Sequence, residues 1–155
     1  MTRTASDKRG IALAVALFAL VVMGALVAGH FFAGRLEQQS GRNTLFAGQA
    51  AEAAEAGLVE ALGTISASTL VTLPIGGAAL SLGTTALSPG FRVERQVSRL
   101  TSTLFLIRAH GVRHDAAGHP LAARALGWLV KLAADPQAGS PTVVPLRERG
   151  WVQLY

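Results

Sequence analysis

The residues best suited to do chemistry lie in one short polar segment between positions 110 and 119. His110, His114 and His119 fall within ten residues of one another, and Asp115 follows the second of them. Imidazole nitrogens and carboxylate oxygens are zinc ligands, so this spacing could form a metal site. The small neighbours are typical instead of a flexible hairpin tip with solvated histidines: Gly111, Ala116, Ala117 and Gly118. We prefer this second interpretation and predict no metal site.

No other pattern predicts catalysis. The chain has no cysteine, which excludes disulfides, Cys-based zinc sites and a thiol nucleophile. Glu52 and Glu55 are three residues apart and could share a proton, but a solvated helix face favours two charged carboxylates. The sequence contains no Gly-x-Ser-x-Gly elbow, P-loop, His-Glu-x-x-His motif or dinucleotide fingerprint. We therefore predict that the chain is not an enzyme and binds no cofactor.

The charge distribution argues against a nucleic-acid partner. The net charge of +5 includes Arg3, Lys8 and Arg9 near the N-terminus, and the other basic residues are scattered along the chain. No dense basic cluster with interleaved aromatic residues is present. Half of the residues are hydrophobic and only 15% are charged, and the mean hydropathy is +0.40. This composition indicates contact with a membrane rather than with phosphates.

The longest uncharged hydrophobic run is Ile11–Phe32, which we name the apolar segment. Its 22 residues contain no Asp, Glu, Lys or Arg, and twelve of them are Ile, Leu, Val or Phe. About 20 apolar helical residues cross a hydrocarbon core of roughly 30 Å. The segment therefore predicts a membrane-spanning helix in contact with the lipid bilayer.

The flanking charges predict the orientation of this helix. Arg3, Lys8 and Arg9 precede it, whereas Arg35 and Glu37 cancel after it, so the N-terminus should stay in the cytoplasm. A conventional cleaved signal peptide is the alternative, but its apolar core is usually about 7–15 residues long. The greater length here favours a retained anchor.

The following residues, 33–63, form what we name the stem. They lack proline, and Ala and Glu, both good helix formers, are abundant between Ala47 and Ala61. At 100° per residue the polar side chains share an arc of about 140°: Glu37, Gln38, Arg42, Gln49, Glu52, Glu55 and Glu60. The opposite face carries the predicted packing residues Phe46, Ala50, Ala54, Gly57 and Ala61. One helix should thus run from about Ile11 to Leu62, or about 78 Å.

Two motifs on this helix resemble those of type IV pilin-like proteins. Lys8-Arg9-Gly10, followed at once by the apolar segment, resembles a class III prepilin signal. Gly48-Gln-Ala-Ala-Glu-Ala-Ala-Glu-Ala-Gly-Leu58 is similar to the N-terminal region of PilX-type minor pilins. The resemblance implies cleavage after Gly10 by a prepilin peptidase, with Ile11 as the new, methylated N-terminus. It also implies an inner-membrane assembly platform and other pilin-like subunits as partners, packed against Val15, Leu17 and Phe18.

One position departs from the major pilins. They carry Glu at the fifth residue after the cleaved Gly, and here that residue is Val15. PilX-like subunits and K-type pseudopilins often lack this Glu as well. The resemblance therefore implies a minor subunit with a structural, initiating or tip role in a type IV pilus or a type II secretion-like filament.

The sequence after the stem changes to a mostly β composition. Gly76-Gly77, Gly83 and Ser88-Pro89-Gly90 predict turns between short apolar strands. Phe91–Val97 alternates as a half-buried strand, with Arg95 as an exception on its apolar side. Leu100–Val112 should pair with it antiparallel.

The last third of the chain is less clearly patterned. His110–His119 is predicted as a hairpin loop. Leu121–Ala133 fits both a strand and a helix, and its position after a hairpin favours a strand. A loop over 135–141 and a final alternating segment from Val143 to Tyr155 follow. Trp128 and Trp151 are predicted to pack in the core or on the sheet rather than to bind carbohydrate.

Together these patterns predict an α+β, pilin-like fold in which a long N-terminal α-helix packs on a small antiparallel β-sheet. The expected parts are a leader (1–10), the transmembrane half of the helix (11–32), the stem (33–63) and an extracytoplasmic domain (64–155). Such a protein would be single-pass in the inner membrane, with its C-terminal domain periplasmic, before it enters a pilus or pseudopilus. The alternatives are an unrelated membrane-anchored periplasmic protein and an anchored enzyme or metal-binding module.

Overall fold

A computed structural model describes residues 4–134, 141–146 and 151–154 of the chain. The helices are α1 (Thr4–Thr64) and α2 (Ala67–Thr72). The strands are β1 (Leu80–Ser88), β2 (Phe91–Arg99), β3 (Leu104–His114), β4 (Pro120–Ala134), β5 (Pro141–Pro145) and β6 (Trp151–Leu154). The chain forms two compact units that divide between Arg42 and Asn43, inside α1.

Helix α1 continues from the apolar segment into the stem without a break. Its last hydrogen bond is donated by the Ile65 N–H to the Ala61 carbonyl, 2.9 Å away. Ser66 then caps α2, because its hydroxyl oxygen accepts from the Thr69 N–H at 3.2 Å. The predicted end of the long helix near Leu62 is thus correct to within two residues.

The six strands form one antiparallel sheet. The order is β1-β2-β3-β4-β5, and β6 also pairs with β4, beside β5. Irregularities in the pairing of β1 lie between Ser81 and Gly83 and between Ala86 and Ser88. Such bulges bend strands and increase their twist, in keeping with the curled sheet. The predicted strand over 121–133 is confirmed by β4, and the predicted pairing of β2 with β3 is confirmed as well.

The core lies between the sheet and residues 43–64 of α1, which we name the docked segment. Its buried side chains from the helices are small or aliphatic, among them Ala54, Leu58 and Leu70. The sheet contributes one face of its central strands: Val93, Val97, Phe105, Ile107, Ala109 and Val130. Burying a Val, Leu, Ile or Phe side chain contributes roughly 1.5–3 kcal/mol. The predicted α+β architecture of a long helix on a small antiparallel sheet is therefore correct.

Three sequence predictions after the stem are wrong in detail. The segment after Ile65 contains helix α2, which was not predicted, because a serine cap starts a new helical turn there. Gly83 lies inside β1, at a pairing irregularity with φ +95°, and not in a turn. Strand β3 continues to His114, so the hairpin loop is only Asp115–His119. Of the predicted loop over 135–141, residues 135–140 lie outside the described residues, and Pro141 is the first residue of β5. Residues 147–150 and Tyr155 of the predicted final segment lie outside them as well.

Candidate functional site

The apolar segment is exposed over its whole circumference. The side chains of Val15, Leu17 and Phe18 are 57–70% accessible, and Ile11 is equally open. Among the residues that the structure describes, one helix, Ile11–Thr64, is long and apolar enough to span a membrane. Aliphatic side chains exposed on every face are typical of a helix surrounded by lipid or by other helices.

Gly10 and Ile11 lie inside α1, which already begins at Thr4. The helix therefore passes through the predicted processing position without a turn. Gly10 lies between the predicted leader and the apolar segment within one continuous helix.

In the docked segment most of the stem residues predicted to pack are buried. Ala50, Ala54 and Ala61 are fully buried, Gly57 is buried and Phe46 is half-buried. These residues recur every three or four positions, which places them on one helix face. The polar residues Glu52 and Glu55 of the predicted solvated face are exposed.

Two glycines set how closely the helix approaches the sheet. A Cβ added to Gly57 would collide with Cγ1 of Val93. A Cβ added to Gly111, on β3, would collide with the carbonyl oxygen of Ala50 and lie 2.6 Å from the backbone nitrogen of Ala54. The helix backbone thus rests directly on the β3 backbone, and both surfaces need small residues.

An ion pair also joins the docked segment to the sheet, further along the helix than Gly57. The Arg95 guanidinium lies 2.7 Å from a carboxylate oxygen of Glu60, and it donates a second bond of 2.6 Å to the Thr85 hydroxyl. Arg95 is 8% exposed and Glu60 39%. Glu60, on the polar arc of the stem, is partly exposed and paired with Arg95 rather than fully solvated. Arg95 is the sequence signal for this pair, because a charged residue on the apolar side of a strand needs a partner.

Arg99 joins several backbone segments at the end of the sheet that contains the β2–β3 turn. Its guanidinium donates to four backbone carbonyls, those of Val71, Leu73, Thr101 and Ser102, at 2.7–3.1 Å. It also lies 5.5 Å from the centre of the Phe105 ring. The arginine thereby ties the end of α2 to the β2–β3 turn. No pattern in the sequence predicted this role.

The histidine segment forms a closed hairpin loop. One Asp115 carboxylate oxygen accepts from the backbone N–H of Ala117 at 2.9 Å and of His119 at 2.8 Å, and the other lies 3.2 Å from the His119 ring. These hydrogen bonds hold the pKa of Asp115 below its usual range, with the His119 N–H as the largest cause. Within the described residues no three His, Cys, Asp or Glu side chains converge to hold a metal ion.

The two tryptophans pack against each other across β4 and β6. Trp128 and Trp151 are directly paired, with ring centres 4.8 Å apart at an interplanar angle of 68°. Edge-to-face geometry of this kind is favourable for aromatic rings. The predicted packing is confirmed for Trp128, which also lies against the hydrophobic core, whereas Trp151 contacts the Trp128 ring and stays 50% exposed.

Comparison with known proteins gives no lead to the function. The chain shows no significant match to protein-family models, to curated proteins or to solved structures. Its function must therefore be argued from the residues themselves. The most informative feature is α1, whose first part is exposed and apolar and whose last part is buried against a sheet.

Proposed function

We propose that the chain is a minor pilin or pseudopilin, a structural subunit of a type IV pilus or type II secretion-like filament. The observation that carries the proposal is a single helix with two environments: an exposed apolar segment and a docked segment on an antiparallel sheet. A subunit with this construction can wait in the inner membrane as a single-pass protein. It can then exchange lipid for the apolar helices of neighbouring subunits.

The prepilin-like signal supports this proposal independently of the fold. Gly10 stands directly before the apolar segment and follows two basic residues. Cleavage after it by a prepilin peptidase would leave Ile11 as a methylated N-terminus. Val15, Leu17 and Phe18 would then lie in the first turns of the mature helix, exposed for packing against neighbouring subunits.

The mature N-terminus tests the proposal directly. We expect mass spectrometry of the chain, expressed with a prepilin peptidase, to find a protein that begins at methylated Ile11. Gly10→Leu should abolish cleavage, whereas Gly24→Leu, the same uncharged change inside the helix, should not block the cut at Gly10. A protein that still begins at Met1 would instead identify an ordinary membrane anchor, and a cut after residue 30 would identify a conventional signal peptide.

Val15 determines the expected number of copies in a filament. An unpaired charged amine in an apolar bundle costs several kcal/mol. In the resembling major pilins a Glu at this position supplies the compensating carboxylate, and Val15 cannot. Repeated incorporation would leave an amine unpaired at each step, whereas a subunit added once avoids the repeated cost. We expect a few copies per filament, dependent on partners that carry the Glu, and filaments built mainly of this chain would contradict that role.

A further inference from the structure

The two edges of the sheet carry different residues. β1 forms one edge, and β5 and β6 share the other, since both pair with β4. β5 has a proline at each end, Pro141 and Pro145. Proline has no N–H to donate, and natural proteins use it, or charged side chains, to stop an edge strand from pairing with another chain. The nine residues of β1 include neither a proline nor a charged residue, so β1 lacks both protections.

β1 is also open along most of its length. Its residues are exposed except Leu82 and Thr85, which are half-buried. Among the described residues β1 pairs with β2 alone. In an antiparallel sheet the backbone groups of alternate residues point to opposite sides of the strand. The side of β1 away from β2 therefore presents N–H and C=O groups that another extended strand can bond.

Two irregularities limit the length of such a ladder. The pairing of β1 with β2 shifts between Ser81 and Gly83 and again between Ala86 and Ser88. Bulges bend a strand and disrupt its ladder locally. The run Gly83–Ala86 between them is regularly paired. A strand added at this edge would thus form a short ladder, and its association should be weak and dependent on concentration.

We propose that β1 pairs antiparallel with β1 of a second copy of this chain. Such pairing is two-fold symmetric, so each strand lies opposite its own reversed sequence. A charged residue near the axis would then meet the same charge in the other copy, which is destabilising. No residue from Gly63 to Gly90 is charged, and the edge can therefore meet itself without repulsion.

The side chains of β1 favour this partner as well. Leu80 and Leu87 lie near opposite ends of the strand and are 37% and 40% exposed. Antiparallel pairing brings the Leu80 end of each copy to the Leu87 end of the other, where the leucines can bury apolar surface against each other. Thr84 and Thr85 lie near the centre, and cross-strand threonine pairs are favourable. The inference goes beyond the proposed function and does not depend on it.

A distance between two copies of the full chain tests the pairing. Because the chain has no cysteine, His110→Cys on the exposed face of β3 carries a single spin label. Two β3 strands joined through β2 and β1 of both copies are five strand spacings apart, or about 24 Å. We expect dipolar electron paramagnetic resonance of the chain in detergent to show a distance near this value. Its amplitude should rise with protein concentration and fall when unlabelled chain is added.

Two variants of β1 oppose the self-pairing and suit the chain's own sheet. Thr84→Lys lies opposite Glu94, and Ala86→Glu lies opposite Arg92, so each new charge meets an opposite one in its own chain. Near the two-fold axis each new charge meets its own copy instead. Each variant alone should lose the distance between the labels. Thr142→Lys, an exposed position of β5, adds the same charge as Thr84→Lys at the other edge and should keep the distance.

A mixture of the two β1 variants distinguishes self-pairing from other causes of the loss. Positions 84 and 86 lie on the same face of β1, since both pair with exposed residues of β2. The charges added by Thr84→Lys in one copy and Ala86→Glu in the other are opposite and attract each other. An equimolar mixture of the labelled variants should regain the distance. An unfolded variant could not regain it, so this recovery also excludes unfolding as the cause of the loss.

The contrary outcomes are equally specific. A wild-type chain that never shows this distance would overturn the inference, and so would a distance that persists in Thr84→Lys. A mixture that stays without the distance would overturn the pairing of β1 with itself. If the wild type lacks the distance but Thr84→Lys, and not Thr142→Lys, loses binding to another pilin-like subunit, the edge belongs to a different chain and not to a second copy.

Discussion

The docked segment and the apolar segment of α1 differ in which side chains are buried and which are exposed. In the docked segment the fully buried positions include Ala50, Ala54 and Ala61, whereas the larger Val59 is 57% exposed. In the apolar segment large residues such as Leu17 and Phe18 point outward on all sides. The same helix therefore buries mainly small side chains, with Leu58 between them, where its own sheet covers it, and it carries large ones over the part that no described residue of the chain covers.

This difference teaches how to interpret each half of the sequence. In the docked segment, the small residues Ala50 and Ala54 mark the point of closest approach, because the helix backbone there rests directly on Gly111 of β3. In the apolar segment, hydropathy marks the whole circumference and indicates an external apolar environment. Stability of the domain should thus depend on the docked segment, whereas any contact with a membrane should depend on the apolar segment.

The largest expected effect comes from breaking the helix where it is docked. Ala54→Pro removes a backbone hydrogen bond and clashes one turn back, which costs about 3 kcal/mol or more. We expect the docked segment to leave the sheet and proteolysis between residues 45 and 70 to increase. Ala33→Pro makes the same backbone change before the docked segment and should leave the protease resistance of the domain unchanged. Equal resistance of wild type and Ala54→Pro would refute a packed, continuous stem.

The next effect tests the close approach of helix and sheet. Gly111→Ala adds a Cβ that collides with the Ala50 carbonyl, and overpacking of this kind costs about 1–3 kcal/mol. Gly48→Ala lies in the same helix with open space around it and should stabilise it by about 0.5–1 kcal/mol. Chemical denaturation of both variants in detergent measures the two changes. If the close approach of helix and sheet determines the effect, and not the loss of a glycine as such, Gly111→Ala should lower the stability and Gly48→Ala should raise it. Changes of the same sign in both variants would contradict this explanation.

A smaller loss should follow from neutralising the ion pair of the docked segment. Glu60→Gln leaves the buried Arg95 guanidinium without its anion. Because Glu60 is partly exposed, we expect about 1–2 kcal/mol rather than the larger cost of a fully buried pair. Glu55→Gln, an exposed neighbour on the same helix, should change stability by less than about 0.5 kcal/mol. A double-mutant cycle with Arg95→Met would show additivity if the two side chains were not coupled.

The long helix and the central strands were predictable because their patterns are repetitive and local. The apolar segment, the small residues of the stem and the alternation after Phe91 each extend over several periods. Strand β4 could be chosen over a helix only through its position after a hairpin. The long helix and the central strands can be predicted because similar side chains recur at the spacing of one helix or strand face, and this spacing can be counted in the sequence.

Features that depend on distant partners could not be predicted in this way. Arg99 bonds to carbonyls near residue 72 and to others in its own turn, and neither set carries a sequence signal. The bond between Glu60 and Arg95 joins two elements whose relative register was unknown. Strand β3 extends to His114 because its backbone N–H donates to the Gly90 carbonyl at 2.7 Å, a contact set by the neighbouring hairpin.

The smallest expected effect lies in the β3–β4 loop. The His119 backbone N–H is the largest cause of the lowered pKa of Asp115, desolvation opposes it, and the His119 side chain and the Ala117 N–H add to it. A lowered folded-state pKa means that the stabilisation is present above the unfolded-state pKa and is lost as the pH falls through the folded-state value.

We therefore expect an NMR titration of the Asp115 carboxyl carbon to give a midpoint below about 3.9, the usual value for Asp. The Ala117 and His119 amide resonances should move with the same midpoint, and Asp115→Asn should remove that step from both. Since the hydrogen bonds of Asp115 stay inside the loop, resonances of Ala54 and Leu58 should not follow the titration. A shared midpoint in the docked segment would show instead that loop and helix contact are coupled.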